Sequence, residues 1–589
     1  MGRKQRQVCF GLRLLVLLAV LIVIAPPWFF SIDTYFALMR FARKGLSFKE
    51  DEGADIVFTN ATIWTGDSIQ PWAEFMVLRK GRILRVGNLT QLQYMRIGSK
   101  MEVVDLEGKF VTPGFIDSHL HFLHGGLQMK HVDLGCVNSR AEFERKFRIA
   151  AEDVESGKWI FGSMWNEENW GGTLPEASWI DNVTPHHPVW ACRIDVHTCL
   201  ANSMAMALAN ISHDTVDPEG GTVVKNIHGD PTGLFKDMAS RLITHHIPPM
   251  SVEERREALI RASELALSRG VTSVVDFGRV GASEHPWDDF PEVYLWADAA
   301  GMMRVRVSIF LPIETWQSVI ALVRQRGFML SQWLHIGGVK AFADGSLGTR
   351  TALFHKAYAD DNSNYGLLAL DLDWLQEAVL GADNAGLQVA VHAIGDAAND
   401  HVLSTFETVV SKNGPRDRRF RIEHAQHLSA GAPERFQASG VVASVQPEHM
   451  LDDAYSAMRK LGEERAQQGS YLFNSLLGNG THLALGSDWT VAPIDPLRGI
   501  QAASTRIPKG WSSSWIPSEI ISSEAALSGY TREGAYASFM EKYVGSLSPG
   551  KYADFVVLSH SPLNDLARDG IPSVLATYVG GCLAHPKPT

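Results

Sequence analysis

Hydrophobic and polar positions change rhythm along the chain, and the changes divide it. Residues 14–25 read LLVLLAVLIVIA, twelve apolar residues in succession, followed by Pro26, Pro27 and the aromatic trio Trp28, Phe29 and Phe30. From 55 to 112 the rhythm becomes short apolar stretches broken by turn residues: ADIVFTNATIWTG, EFMVLRKGRILRVG and MEVVDLEGKFVTPG. These predict β-strands joined by Gly- and Asn-containing turns. YADFVVL at 552–558 and VLATYVGG at 574–581 share that texture. Between the two ends, apolar runs of strand length alternate with helical stretches such as VEERREALIRASELALSRG. The runs are FIDSHLH (115–121), GVTSVVDFG (270–278), RVRVSIFL (304–311), GGVKAFADG (337–345), LQVAVHAIGD (387–396), RIEHAQ (421–426), VVASVQPE (441–448) and LALGSDW (483–489).

Eight such runs with intervening helices predict the α/β class and a (β/α)8 TIM barrel. A ninth run, PVWACRI at 188–194, falls in the long stretch between the first and second strands and is assigned to an inserted cap. The predicted organisation has an N-terminal apolar segment with its linker at 1–50 and the first part of a small β-sandwich at 51–112. The barrel follows at 113–544, with the cap insertion at about 124–262, and 545–589 supplies the second part of the sandwich.

Composition adds exclusions. With 589 residues, 45% hydrophobic and 20% charged, 51 Gly and 26 Pro, the chain is not a collagen, a coiled coil, a mostly disordered protein or a small disulfide scaffold. Its net charge is −11, yet residues 1–49 hold eight basic residues against the single Asp33. An acidic body behind a basic leader argues against nucleic acid as a partner. The apolar run of the leader is short for a span of about 20 residues, but the aromatic trio suits a membrane interface. No small-x-small cleavage site follows it, and a buried core helix has no preceding chain to pack against. A signal anchor is therefore expected. It would make a single-pass membrane protein of the endoplasmic reticulum or secretory pathway, with a lumenal catalytic domain. Arg40, Arg43 and Lys44 oppose that orientation, whereas sequons starting at Asn60, Asn88, Asn182, Asn210 and Asn479 suit a glycoprotein. The five cysteines show no metal or redox spacing.

Candidate chemistry gathers at strand ends. His119 and His121 form a His-x-His pair in PGFIDSHLH. Residues i and i+2 of a strand point to one face, so both imidazoles can reach one metal ion. His392 ends VAVHAIGD, His424 ends RIEHA and Asp488 ends LALGSDW, each after an apolar run. The carboxyl ends of barrel strands are where such sites lie, and this nitrogen and oxygen donor set suits Zn²⁺ or a similar divalent ion.

The order His-x-His, Lys, His, His, Asp resembles the amidohydrolase superfamily. PGFIDSHLH, VKAFADGSLGTRTALF, VHAIGDAA, RIEHAQ and GSDW resemble its YtcJ-like branch, including plant members of the long after far-red type. GSLSPGKYADFVVL at 545–558 resembles the superfamily's return into the sandwich. The resemblance implies that His119 and His121 bind one metal and that His392 and His424 bind a second metal or substrate. It gives Asp488 the roles of metal ligand and general base, and places Lys340 where related enzymes carry a carboxylated lysine between two metals. One or two divalent ions remain open. The implied reaction is hydrolysis of a non-peptide carbon–nitrogen bond, such as an N-acyl or N-formyl amide of a small molecule. A deaminase is the enzyme alternative, but His392-Ala393-Ile394-Gly395 lacks the Glu that many deaminases place after this His. A catalytically inactive protein with a signalling or scaffold role is the other.

His197 resembles a substrate-contacting residue of the branch, although Val196 stands where Gly is usual. Trp165, Glu167 and Trp170 line the pocket mouth or pack the cap. Asp344 and Arg350 orient Lys340, bind substrate, or form a structural ion pair. His124, His427 and His449 read as structural. A homodimer is left open.

Overall fold

The computed structural model describes residues 56–92, 102–194, 198–218, 221–279, 286–564 and 566–586. All eight runs expected as barrel strands form one parallel sheet. Its strands are β1 (Phe115–Leu120), β2 (Val271–Asp276), β3 (Arg306–Pro312), β4 (Leu334–Phe342), β5 (Gln388–Ala393), β6 (Arg421–His424), β7 (Val442–Val445) and β8 (Leu483–Leu485), in sequence order across the sheet. Their apolar continuity has a physical cause: a parallel sheet is covered on both faces, so β1, β2, β6 and β7 are buried at every position. Helices such as Val252–Ser268 cover the outside. That helix opens with a capping box between Ser251 and Glu254 and turns Ala258, Leu259, Ala262 and Ala266 inward at helical spacing.

The barrel is nearly closed. β8 and β1 meet not through a ladder but through the chain just beyond β8. There the Asp488 amide donates to the His119 carbonyl at 2.7 Å and the His121 amide to the Trp489 carbonyl at 2.9 Å. The buried Asp117 carboxylate accepts from the amides of Ser487 at 3.0 Å and His119 at 3.2 Å. The seam thus ties the His-x-His pair to Asp488 through backbone.

Two sheets stack outside the barrel. One pairs strands Ile56–Thr59, Phe75–Arg79, Arg82–Gly87 and Glu102–Asp105. In the other, Phe110–Pro113 lies antiparallel to Phe555–Leu558 of the far end of the chain. Phe58 of the first sheet meets the rings of Phe555 and Tyr578 of the second at 4.9 and 5.1 Å, within a shared apolar core. Between β1 and β2 lies a separate six-stranded sheet running from Val132 to Asp237, with apolar clusters of its own. Its strand Val189–Arg193 is the ninth apolar run of the sequence. Cys192 stands opposite Cys199 on the adjacent antiparallel strand and forms a disulfide with it, a pairing that the seven-residue separation alone does not reveal.

The expectation of a single-pass membrane protein with a lumenal domain is corrected. Among the described residues, no helix is long and apolar enough to cross a membrane. The two long helices Val252–Ser268 and Asp396–Asn413 both carry charged side chains along their length. The apolar run at 14–25 lies outside the described residues.

Candidate metal centre

Four of the chemically marked residues, His119, His121, His424 and Asp488, converge at the carboxyl ends of the strands, together with His449. His119, near the end of β1, is buried, with Nδ1 2.6 Å from Glu423 Oε2 on β6. Glu423 in turn accepts from Arg421 Nε at 2.7 Å. His121, one residue past β1, has Nδ1 2.7 Å from the Gly278 carbonyl beyond β2. His424 closes β6 and has Nδ1 2.9 Å from Gln446 Oε1, beyond β7. Carboxylate and carbonyl oxygens only accept, so these contacts place the ring hydrogens of His119 and His121 on Nδ1. Gln446 Oε1 does the same for His424, leaving each Nε2 with its lone pair.

The inward nitrogens face Asp488. Its Oδ1 lies 3.5 Å from Nε2 of both His119 and His121, and its Oδ2 lies 3.9 Å from Nε2 of His449. Ligand atoms of His119, His121 and Asp488 lie within 4.8 Å of one another, and so do those of His424, His449 and Asp488. Asp488 Oδ1 and His449 Nε2 are buried without a hydrogen-bond partner. Lone pairs converging on an orphaned carboxylate oxygen, each ring braced from behind, are what a divalent cation requires of its ligands. The backbone is strained at the same points: φ is +77° at His424, +43° at Ala425 and +54° at Asp488. None of these is glycine, and such strain persists only where the surroundings enforce it.

Electrostatics agree with that donor set. Burial drives the imidazoles of His119 and His424 well below their ordinary value, with neighbouring cationic groups adding to the effect. Burial also brings His121 to about 3 and His449 to about 4. All four are therefore neutral near pH 7, the form that ligates metal. Burial raises Asp488 and is opposed by Lys340; burial lowers the Lys340 ammonium and is opposed by Glu423 and Asp488.

The remaining expected residues are placed differently. Lys340 on β4 is buried, with its Nζ over the rings of Phe277 at 4.3 Å and Phe342 at 5.1 Å, and its charge opposes the rise of Asp488. His392 is in neither three-ligand set. Its Nε2 is 3.1 Å from the Gly345 carbonyl and 3.4 Å from Asp344 Oδ1, although its ring stands 4.5 Å from that of His424. Asp344 is buried and accepts from the amides of Leu353, Ile394 and Gly395, so it fastens the loops after β4 and β5. Arg350 pairs with Asp360 on its own loop at 2.8 Å. Trp165 is fully buried in the core of the inserted unit, its indole donating to the Ala191 carbonyl at 2.9 Å. Of the two placements expected of Trp165, at the pocket mouth or within the cap, the structure shows packing within the inserted unit. His197 lies outside the described residues. His449, which the sequence reads as structural, stands in the second three-atom set, and Glu423 and Gln446 hold the rings of His119 and His424 without having been singled out in the sequence. His449 carried a signal, since an imidazole follows the seventh apolar run as His424 ends the sixth.

Known proteins bear on this geometry. A family model described as "Amidohydrolase family" matches residues 102–583. The chain belongs to the amidohydrolase family. It is 51% identical over 536 residues to Protein LONG AFTER FAR-RED 3 of Arabidopsis thaliana, covering 90% of this chain and 92% of that protein. It is 31% identical over 525 residues to YtcJ of Bacillus subtilis, covering 87% and 96%. It is 26% identical over 552 residues to an N-substituted formamide deformylase of Arthrobacter pascens, covering 90% and 98%. Among solved structures, an uncharacterized metal-dependent hydrolase from Pyrococcus furiosus shares 28% identity and superposes with a TM-score of 0.71, covering 87% of this chain and all of that one. This amidohydrolase thus carries the family's barrel and buried His and Asp groups able to hold a metal ion.

Proposed function

We propose that the protein hydrolyses a non-peptide carbon–nitrogen bond, of the N-acyl or N-formyl amide type, in a small molecule. The observation that carries this reading is the buried carboxylate of Asp488, unpaired at Oδ1 and faced by two imidazole nitrogens at 3.5 Å. His119, His121 and Asp488 would hold the ion, and a nitrogen and oxygen set of this kind suits Zn²⁺. When bound, such an ion polarises a carbonyl and makes water acidic enough to react near neutrality. The chain's own residues do the rest. Glu423 and Gly278 fix the two imidazoles, so their lone pairs need no reorganisation. Asp488, held by its amide on the His119 carbonyl, takes the proton of the attacking water and returns it to the leaving nitrogen. The products are a carboxylic acid and an amine. The name of the Arthrobacter pascens relative supports an amide of the formyl kind. The unit inserted between β1 and β2 serves as the cap that selects the substrate.

Metal analysis and turnover of N-formyl and N-acyl amines test this. Wild type is expected to contain divalent metal and release amine, with Asp488→Asn slower by about 10²–10⁴-fold. Undiminished turnover in that variant sinks the proposal.

A further inference from the structure

Asp276 ends β2 with its side chain buried against the chain that carries His121. A carboxylate is costly to bury, and burial raises this one to about 6. Three donors hold it there. Its Oδ1 accepts from the amide of Phe122 at 2.9 Å and from the amide of Gly278 at 3.0 Å, while its Oδ2 accepts from the Tyr294 hydroxyl. Both amides belong to the surroundings of His121. Phe122 is the next residue in the chain, and Gly278 offers the carbonyl that His121 Nδ1 meets at 2.7 Å. One carboxylate oxygen therefore ties the backbone beside His121 to the acceptor behind its ring.

Pairing β1 with β2 does not call for this carboxylate. The two strands are already in register up to Leu120 and Asp276, and the Phe277 amide extends the ladder to the Leu120 carbonyl at 3.0 Å. What the ladder leaves free is the following residue. Gly278 has φ +81° and no side chain to limit where its carbonyl points. It is held from both flanks instead. Asp276 takes its amide, and the next residue, Arg279, places its guanidinium Nε 2.6 Å from Asp289 Oδ2. Asp289 and Tyr294 come from one element, the π-helical turn Phe290–Leu295 and the residue before it, a type of turn that recurs at functional sites. Arg255 of the helix Val252–Ser268 fixes that element by binding Asp289 Oδ1 at 2.6 Å.

We infer that Asp276 is a positioning residue of the metal site. Through the Gly278 carbonyl it sets the ring plane of His121 and keeps the ring hydrogen on Nδ1, and Tyr294 holds Asp276 in place. The inference rests on the reading of His121 as a metal ligand.

Zinc affinity of the full chain tests it without any substrate. Protein stripped with chelator is titrated with Zn²⁺ against competing chelators of graded strength. Asp276→Ala is expected to weaken binding about 10–100-fold, the usual cost of losing a partner behind a ligating imidazole. Asp276→Asn should stay within about threefold of wild type, because its carboxamide oxygen can still accept from both amides and its nitrogen can donate to Tyr294. The deciding measurement is a double-mutant cycle with His121→Ala. If Asp276 acts through His121, Asp276→Ala costs no further affinity once that imidazole is gone. Urea unfolding shows that each variant is folded, and Tyr294→Phe takes the place of Asp276→Ala in the cycle if the latter does not fold. Wild-type affinity in Asp276→Ala, or an equal loss with and without His121, overturns the positioning role while leaving the metal site intact. No zinc bound by folded wild type overturns the metal site itself.

Discussion

A histidine in this protein takes its role from what its outer nitrogen touches. His119, His121 and His424 each spend Nδ1 on a fixed oxygen and turn Nε2 toward the centre, whereas His427 gives Nδ1 to Ser470 Oγ at 2.9 Å, away from the three-ligand sets. Spacing in the sequence shows which imidazoles reach a strand end but not which oxygen waits behind each ring. For that reason His392 could be named and its facing atoms could not. His335, low on β4, offers a clean measure of burial. Its ring bonds Ser308 Oγ at 3.1 Å, and burial lowers it to about 4. The ordinary value of 6.5 applies when unfolded, so the neutral ring stabilises the fold above pH 6.5. That contribution is lost as pH falls toward 4, because the unfolded chain then binds the proton first. Against His335→Asn, which cannot titrate, wild type should lose about 2–3 kcal/mol of relative stability between pH 7.5 and 4.5. Urea unfolding at the two pH values measures it, and a constant difference would contradict the burial argument.

Strands were the most legible elements. A parallel barrel strand must be apolar on both faces, and the runs at 270–278 and 441–448 are recognisable for that reason alone. The seam between β8 and β1 left no such trace, because it consists of backbone hydrogen bonds, the buried Asp117 carboxylate and one glycine. A Cβ on Gly486 would come within 2.5 Å of the His119 amide nitrogen and 3.0 Å of Asp117 Oδ1. Gly486→Ala must therefore push the eighth strand off the first, and with it Asp488 off the histidines. We expect a loss of about 1–3 kcal/mol in stability together with at least a tenfold loss in Zn²⁺ affinity by chelator competition. A variant less stable but unchanged in affinity would show that the seam closes the barrel without positioning the ligands.

At the scale of the whole molecule, a buried ion pair joins the sandwich to the barrel at the end opposite the candidate metal centre. Arg306 opens β3. Its guanidinium binds Asp554 through Nε at 2.6 Å and Nη2 at 2.8 Å, donates to the Gln332 carbonyl at 2.7 Å, and stacks on Tyr552 at 3.9 Å. Asp554 precedes the strand Phe555–Leu558, which closes the sandwich with Phe110–Pro113, and it also accepts from the Gly580 amide at 2.7 Å. Both charges are only 3% exposed, so neither is satisfied by water if the other is removed. Arg306→Leu strands the carboxylate in an apolar junction and should cost about 3–5 kcal/mol, whereas adding Asp554→Asn should recover a large part of that loss. Folded Arg306→Leu should keep the zinc stoichiometry of wild type, since the residue lies at the other end of the strands from the ligands. Chemical denaturation of the wild type, both single variants and the double variant gives the coupling energy directly. A coupling near zero would mean that the sandwich is held by its apolar core alone.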